Sequence, residues 1–221
     1  MELTAIPTAS GEEHRVVDWV QRWSDSMKGI TLKRDQFGNL LIQQRKKSTN
    51  TPLYITAHLD HPAFVVRKQL NECQLEMEFR GGVHTAYFKG STLEVFDNDD
   101  FSSIGVITSF DATATPFKRV VVTLQNAVAG FFMKGDIARW KFKPPVVKNG
   151  LLHAPACDDL AGIAAALSAL DVIKDIRGLG HVGVLLTRAE EIGFVGAIAA
   201  ATKRTIAKSS RLLCLETSRS Y

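Results

Sequence analysis

Leu53-Tyr54-Ile55-Thr56-Ala57-His58-Leu59-Asp60 is the stretch on which the fold turns. Its first five residues form a compact apolar run that suits a buried strand. The run ends in His58-Leu59-Asp60, and because residues two apart in an extended strand face the same side, His58 and Asp60 project together. Polar side chains at the end of a buried strand are where an open α/β sheet gathers its ligands.

Upstream, Ser10 and Glu13 have the spacing of a capping box, and Val16, Trp19, Val20, Trp23 and Met27 follow as one apolar stripe. This pattern predicts a helix over 11–28. Short strands fit 30–34 and 39–43, hinged at Phe37-Gly38. Downstream of Arg67 the texture changes. Short β-prone pieces at 75–79, 92–96, 104–108, 120–124 and 137–142 alternate with Gly81-Gly82, Lys89-Gly90, Asn98-Asp99-Asp100 and Lys134-Gly135-Asp136. Strands this short, with no helical period between them, predict a small β-barrel or sandwich rather than βαβ units. After Asn149-Gly150 the helical period returns, with helices expected over 159–173 and 194–207 and strands over 181–186 and 212–215. The fold class is therefore α/β, interrupted by an all-β insert. The expected boundaries are 1–66 for the first part of the α/β domain, 67–149 for the insert and 150–221 for the second part.

Composition narrows the function classes. The chain has 221 residues, 45% hydrophobic and 23% charged, which excludes disorder for most of it. Lys+Arg 27 against Asp+Glu 23 leaves a net charge of only +4. The most basic run, Arg45-Lys46-Lys47, reads as a solvated loop, and no concentrated basic face suggests nucleic acid. Cys73, Cys157 and Cys214 are odd in number, far apart and form no C-x-x-C, so neither a disulfide framework nor a thiolate zinc site is expected. The start lacks a basic n-region and an apolar h-region, and the longest apolar stretch, 160–173, is too short for a membrane span. A cytoplasmic location, with no membrane partner, is the expectation.

Four polar clusters fall at predicted strand ends or on the loop into a helix: His58-Leu59-Asp60, Asp158-Asp159, Glu190-Glu191 and Glu216. Singly, each has an ordinary structural reading. His58 and Asp60 could be a satisfied pair, Asp158 or Asp159 a helix N-cap, Glu190-Glu191 an acidic first turn, and Glu216 a surface carboxylate. Together, converging carboxylates and one histidine would repel unless cations sat between them. Imidazole and carboxylate without thiolate suit Zn²⁺, Co²⁺ or Mn²⁺. His58 can ligate while Asp60 holds its other ring nitrogen, and adjacent Glu190 and Glu191 would diverge, one to bind metal and one to act as general base.

These clusters, in this order, resemble the dinuclear zinc exopeptidases: His-x-Asp after an apolar strand, Asp-Asp-x-x-Gly from Asp158 to Gly162, Glu-Glu-x-Gly from Glu190 to Gly193, and an acidic residue closing a strand. The opening Ile6-Pro7-Thr8-Ala9-Ser10-Gly11-Glu12-Glu13 and the later Asp35-Gln36-Phe37-Gly38-Asn39-Leu40 fit the same pattern. A β-rich insert between the first and second ligands is similar to the glutamyl-aminopeptidase, or tetrahedral aminopeptidase, family. That resemblance implies a mixed-sheet catalytic domain with helices on both faces and a β-barrel insert. It implies two divalent ions, zinc by ligand type, with cobalt or manganese satisfying the same residues. His58 and Glu216 would hold one ion, Glu191 the other, and Asp158 both. Glu190 would be the general base, Asp60 would orient His58, and the Asp158-Asp159 peptide would be cis.

The implied activity is hydrolysis of N-terminal residues from peptides, in a homo-oligomer. A non-catalytic binding or assembly module and an aminoacylase-type amide hydrolase are the alternatives. Two departures stand out: His61-Pro62 replaces the acidic residue usual after His-x-Asp, and the family's fifth ligand, a histidine beyond the fourth, has no counterpart before Tyr221. The expectation is a fragment, or a shortened relative with an incomplete second site, whose exposed sheet face self-associates. Gly178-Leu179-Gly180-His181-Val182-Gly183 matches G-x-G-x-x-G but precedes a strand, so it reads as a turn and not a nucleotide loop.

Overall fold

The computed structural model describes residues 1–46, 48–128 and 132–218. Lys47 of the basic run lies outside them. The chain divides into two compact units, one comprising 1–6, 13–60 and 144–221, the other 7–12 and 61–143.

The first unit is a mixed α/β layer structure. Helix α1 (His14–Ser26) leads into β1 (Ile30–Arg34), β2 (Leu40–Gln44) and β3 (Leu53–His58). After the insert come the hairpin β10 (Val146–Lys148) and β11 (Leu151–His153), α2 (Gly162–Ile173), β12 (Val182–Thr187), α3 (Val195–Thr202) and β13 (Arg211–Cys214). The sheet order is β1-β2-β12-β3-β13, with β3 parallel to both its neighbours and β2 antiparallel to both of its own. All six residues of β12 are buried, as a central strand covered on both faces requires.

Alternation along the strands sorts the two faces. Leu40, Ile42, Ile55, Ala57, Val184 and Leu186 pack with Val16 and Val20 of α1 and Ile163, Leu167 and Leu170 of α2. Leu41, Tyr54 and Leu185 point the other way, towards Ala200 of α3. Helices thus cover both faces. The outer strand β13 is exposed throughout, with Leu212 and Leu213 about half accessible, and α3 exposes Phe194, Val195 and Ile198 at its start.

The second unit is a closed antiparallel barrel in the order β4-β5-β8-β7-β6-β9, from β4 (Ala63–Asn71), β5 (Gln74–Arg80), β6 (Thr92–Phe96), β7 (Ser102–Asp111), β8 (Lys118–Leu124) and β9 (Ile137–Trp140). Closure removes its edges. Its interior is filled by alternating apolar residues and an aromatic cluster in which Phe64 lies 5.1 Å from Phe79 and 4.8 Å from Trp140.

Several expectations shift. Strand β4 was not anticipated, because its buried start, Ala63-Phe64-Val65-Val66, follows Pro62 directly with no alternation to mark it. Asn149-Gly150, expected to close the insert, is a hairpin turn inside the first unit, with both residues at positive φ. The helix foreseen from 159 begins at Gly162, after an irregular turn over Cys157–Ala161 in which Asp158 and Asp159 leave helical φ/ψ. Among the described residues, no helix is long and apolar enough to cross a membrane.

Candidate metal centre

Parallel pairing brings the site together. Thr187 pairs with His58 in register, and Leu215 donates its N–H to Thr56 at 2.8 Å, so β3, β12 and β13 end side by side. The segments leaving those ends carry His58, Glu190-Glu191 and Glu216. His58, Asp158 and Glu216 each offer a ligand atom, all within 4.8 Å of one another. His58 Nε2 lies 3.1 Å from Asp158 Oδ1 and 3.9 Å from Glu190 Oε2. Its other nitrogen, Nδ1, is 3.1 Å from the Asp60 carbonyl and 3.5 Å from Asp60 Oδ1. With Nδ1 turned to Asp60, Nε2 is the nitrogen that would ligate, giving up its proton to do so. Glu191 stands outside the close trio.

The aspartate pair has two separate tasks. Asp158 is partly exposed and faces the histidine ring. Asp159 is fully buried and accepts the His58 main-chain N–H at 3.0 Å. The peptide between them is cis, as the resemblance implied. Gly162 is required here, since a Cβ would run into the Asp159 carboxylate.

Charge crowding dominates the electrostatics. Burial pulls the His58 pKa down, but hydrogen bonds to Asp158 and Asp60 and the neighbouring negative charges hold it up at about 11. Burial, reinforced by Asp158, Glu190 and Asp60, pushes Glu191 up to about 8. Burial also drives Asp159 to about 7, and raises Glu190. The His58 imidazole thus faces Asp60, Asp158 and Asp159, and its charge also lowers Glu190 and Glu191 against their burial. The buried Asp159 Oδ1 has no hydrogen-bond partner. An imidazole nitrogen and two carboxylates gathered this closely, as at His58, Asp158 and Glu216, fit divalent cations of the zinc, cobalt or manganese type. Among the described residues, the group that could hold an ion contains no cysteine, and the nearby Cys157 thiol donates to the Ala154 carbonyl at 3.5 Å.

The loop bearing Glu190 and Glu191 is held from three directions. Asp60, fully buried, accepts the N–H of Glu190 on Oδ1 at 3.0 Å and that of Glu191 on Oδ2 at 3.1 Å. Glu13 accepts the Ala189 N–H at 3.1 Å and pairs with the Arg188 guanidinium at 2.6 and 2.5 Å. Asn39 Oδ1 accepts the Arg188 N–H at 3.1 Å. Glu13 stands immediately before α1, where its side chain makes no hydrogen bond to the first turn, and its carboxylate reaches across to Arg188 and Ala189. His181 sits just before β12, opposite the strand ends that carry the site, in a cleft with Lys33, Arg45 and Lys46.

Residues 38–210 match the model of the M42 glutamyl aminopeptidase family. The chain belongs to that family. Solved structures share its fold. The TET1 peptidase of Pyrococcus horikoshii, described as assembling into a tetrahedron or a large octahedral shell, superposes with TM-score 0.78 at 21% identity, over 97% of this chain and 66% of that one. An aminopeptidase from the archaeon Desulfurococcus kamchatkensis gives 0.76 at 22%, over 98% and 61%. A Thermotoga maritima structure named an endoglucanase gives 0.69 at 22%, over 98% and 65%. This M42 chain therefore spans less than two thirds of the length of each. A comparison with curated proteins finds no match.

Proposed function

We propose that this M42 chain is a metal-dependent aminopeptidase that removes N-terminal residues from peptides. The observation that carries the reading is the trio of His58 and Glu216 at neighbouring parallel strand ends and Asp158 on the turn into α2, with the Glu190 carboxylate 3.9 Å from His58 Nε2. In this reading His58, Asp158 and Glu216 hold one ion, and Glu191 with the shared Asp158 holds a second. Ions bound there would polarise the scissile carbonyl and make the attacking water more acidic.

The chain's own groups supply the rest. Asp60 fixes the His58 ring through Nδ1 and anchors the Glu190 and Glu191 amides, so it sets both partners of the reaction centre. Glu190, raised above the ordinary carboxylate range by burial, is suited to take a proton from the attacking water and deliver it to the leaving amine. Asp159 holds the main chain of His58. The oligomeric descriptions of related structures support a homo-oligomer.

The test is elemental analysis of chelator-free protein alongside hydrolysis of aminoacyl anilides and short peptides with Zn²⁺ or Co²⁺. Two ions per chain and turnover of free-amine substrates are expected. Hydrolysis of N-acyl amino acids alone would transfer the chain to the aminoacylase reading, and no metal with no turnover would leave a binding module.

A further inference from the structure

Two opening segments have no part in the chemistry above: the one ending at Glu13, and Asp35–Asn39. Both reach the Glu190-Glu191 loop. Glu13 is 1% exposed, and its carboxylate pairs with Arg188 and accepts the N–H of Ala189. Ala189 adopts a left-handed conformation with φ 52, which a side chain disfavours and which persists where surroundings over-determine it. Asn39, itself fully buried, takes the Arg188 N–H and donates to Asp35 at 2.8 Å and to the Gly196 carbonyl at 3.0 Å. Asp35 is in turn tied to Thr205 at 2.6 Å. Space is cleared for the arrangement: a Cβ at Gly38 would strike the Arg188 side chain, and one at Gly196 would strike Asn39 and the Arg188 backbone. A buried carboxylate is costly unless paired, and an apolar residue would fill the same space more cheaply.

From this convergence we infer that Glu13 is a positioning residue for the metal centre: by clamping Arg188 and the left-handed Ala189, it directs the next two amides onto Asp60 and so places Glu190 and Glu191. The activity part of the inference rests on the aminopeptidase reading. The structural part does not.

Glu13→Gln and Arg188→Lys provide the test, each in the whole chain. In metal-free protein, amide exchange at Glu190 and Glu191, which Glu13 does not touch, becomes severalfold faster in both variants, while the barrel amides of Val120 and Val122 keep their protection. Titration with Co²⁺, followed by its visible absorption, shows one ion bound as in the parent and the other weakened roughly 10- to 100-fold. With peptide substrate, kcat falls and KM stays. Unchanged exchange at Glu190 and Glu191 in both variants overturns the inference, as does a loss of protection spread evenly through the chain. Should Glu13→Gln not fold, Arg188→Lys alone decides. If the parent binds no Co²⁺ and cleaves nothing, the functional reading fails, while the exchange contrast still judges the clamp.

Discussion

Asp60 and Glu190 lie 130 residues apart in sequence, yet the buried Asp60 carboxylate takes the Glu190 N–H at 3.0 Å. Its second oxygen takes the Glu191 N–H, and its carbonyl meets the His58 ring. One side chain thus ties the end of β3 to the loop after β12. Asp60→Asn removes one of two acceptors while keeping the shape. It is expected to cost about 1–3 kcal/mol in denaturant unfolding, the penalty for a buried donor left unpaired, and to lower peptide turnover.

Glu190 should be separable from metal binding. Glu190→Gln preserves size and the main-chain N–H held by Asp60, but cannot carry a proton. Turnover of aminoacyl anilides is expected to fall about 10²–10⁴-fold, with metal content by elemental analysis unchanged. Parent-level turnover would remove Glu190 from the mechanism.

Gly162→Ala should be destabilising out of proportion to one methyl. The added Cβ meets the Asp159 carboxylate, which is buried and bound to the His58 N–H. An overpacked site of this kind costs about 1–3 kcal/mol, visible in thermal unfolding. A neutral result would show that the turn over Cys157–Ala161 has room to move.

Asp35 gives a stability signature in acid. Burial raises its pKa, but hydrogen bonds from Thr205, Asn39 and Phe37 outweigh this and hold it below the ordinary 3.8. A depressed carboxylate contributes stability that is present above its unfolded value and is lost as pH falls through the folded one. The parent should therefore be more stable than Asp35→Asn at pH 7, with the gap closing below about pH 3.8. A gap independent of pH would assign the effect to packing.

Much of this was readable in the residues, for identifiable reasons. The apolar run 53–57, the helical stripes and the short barrel strands each carry a local period, and their types match the structure. The cis peptide and the meeting of His58, Asp158 and Glu216 were implied by the family resemblance that the ordered motifs carry, and no local period marks either. The spacing of Glu13 from Ser10 gives no hint of its bonds to Arg188 and Ala189, 175 and 176 residues away, because those pairings exist only once the sheet is assembled. Asp60 was expected to hold only the imidazole. Its grip on two amides appears only once β12 lies beside β3.

The strand order also bears on how the chain is made. Among the described residues, strand β3 is flanked by β12 and β13, and both follow it by well over 100 positions. The barrel strands β4 to β9 emerge in between and pair with one another. Emerging from the ribosome, β3 must therefore wait unpaired while a complete barrel is synthesised, the kind of long-range closure that slows folding and exposes apolar chain to aggregation. Translation speed and chaperone access between residues 60 and 187 should thus govern the yield of folded protein.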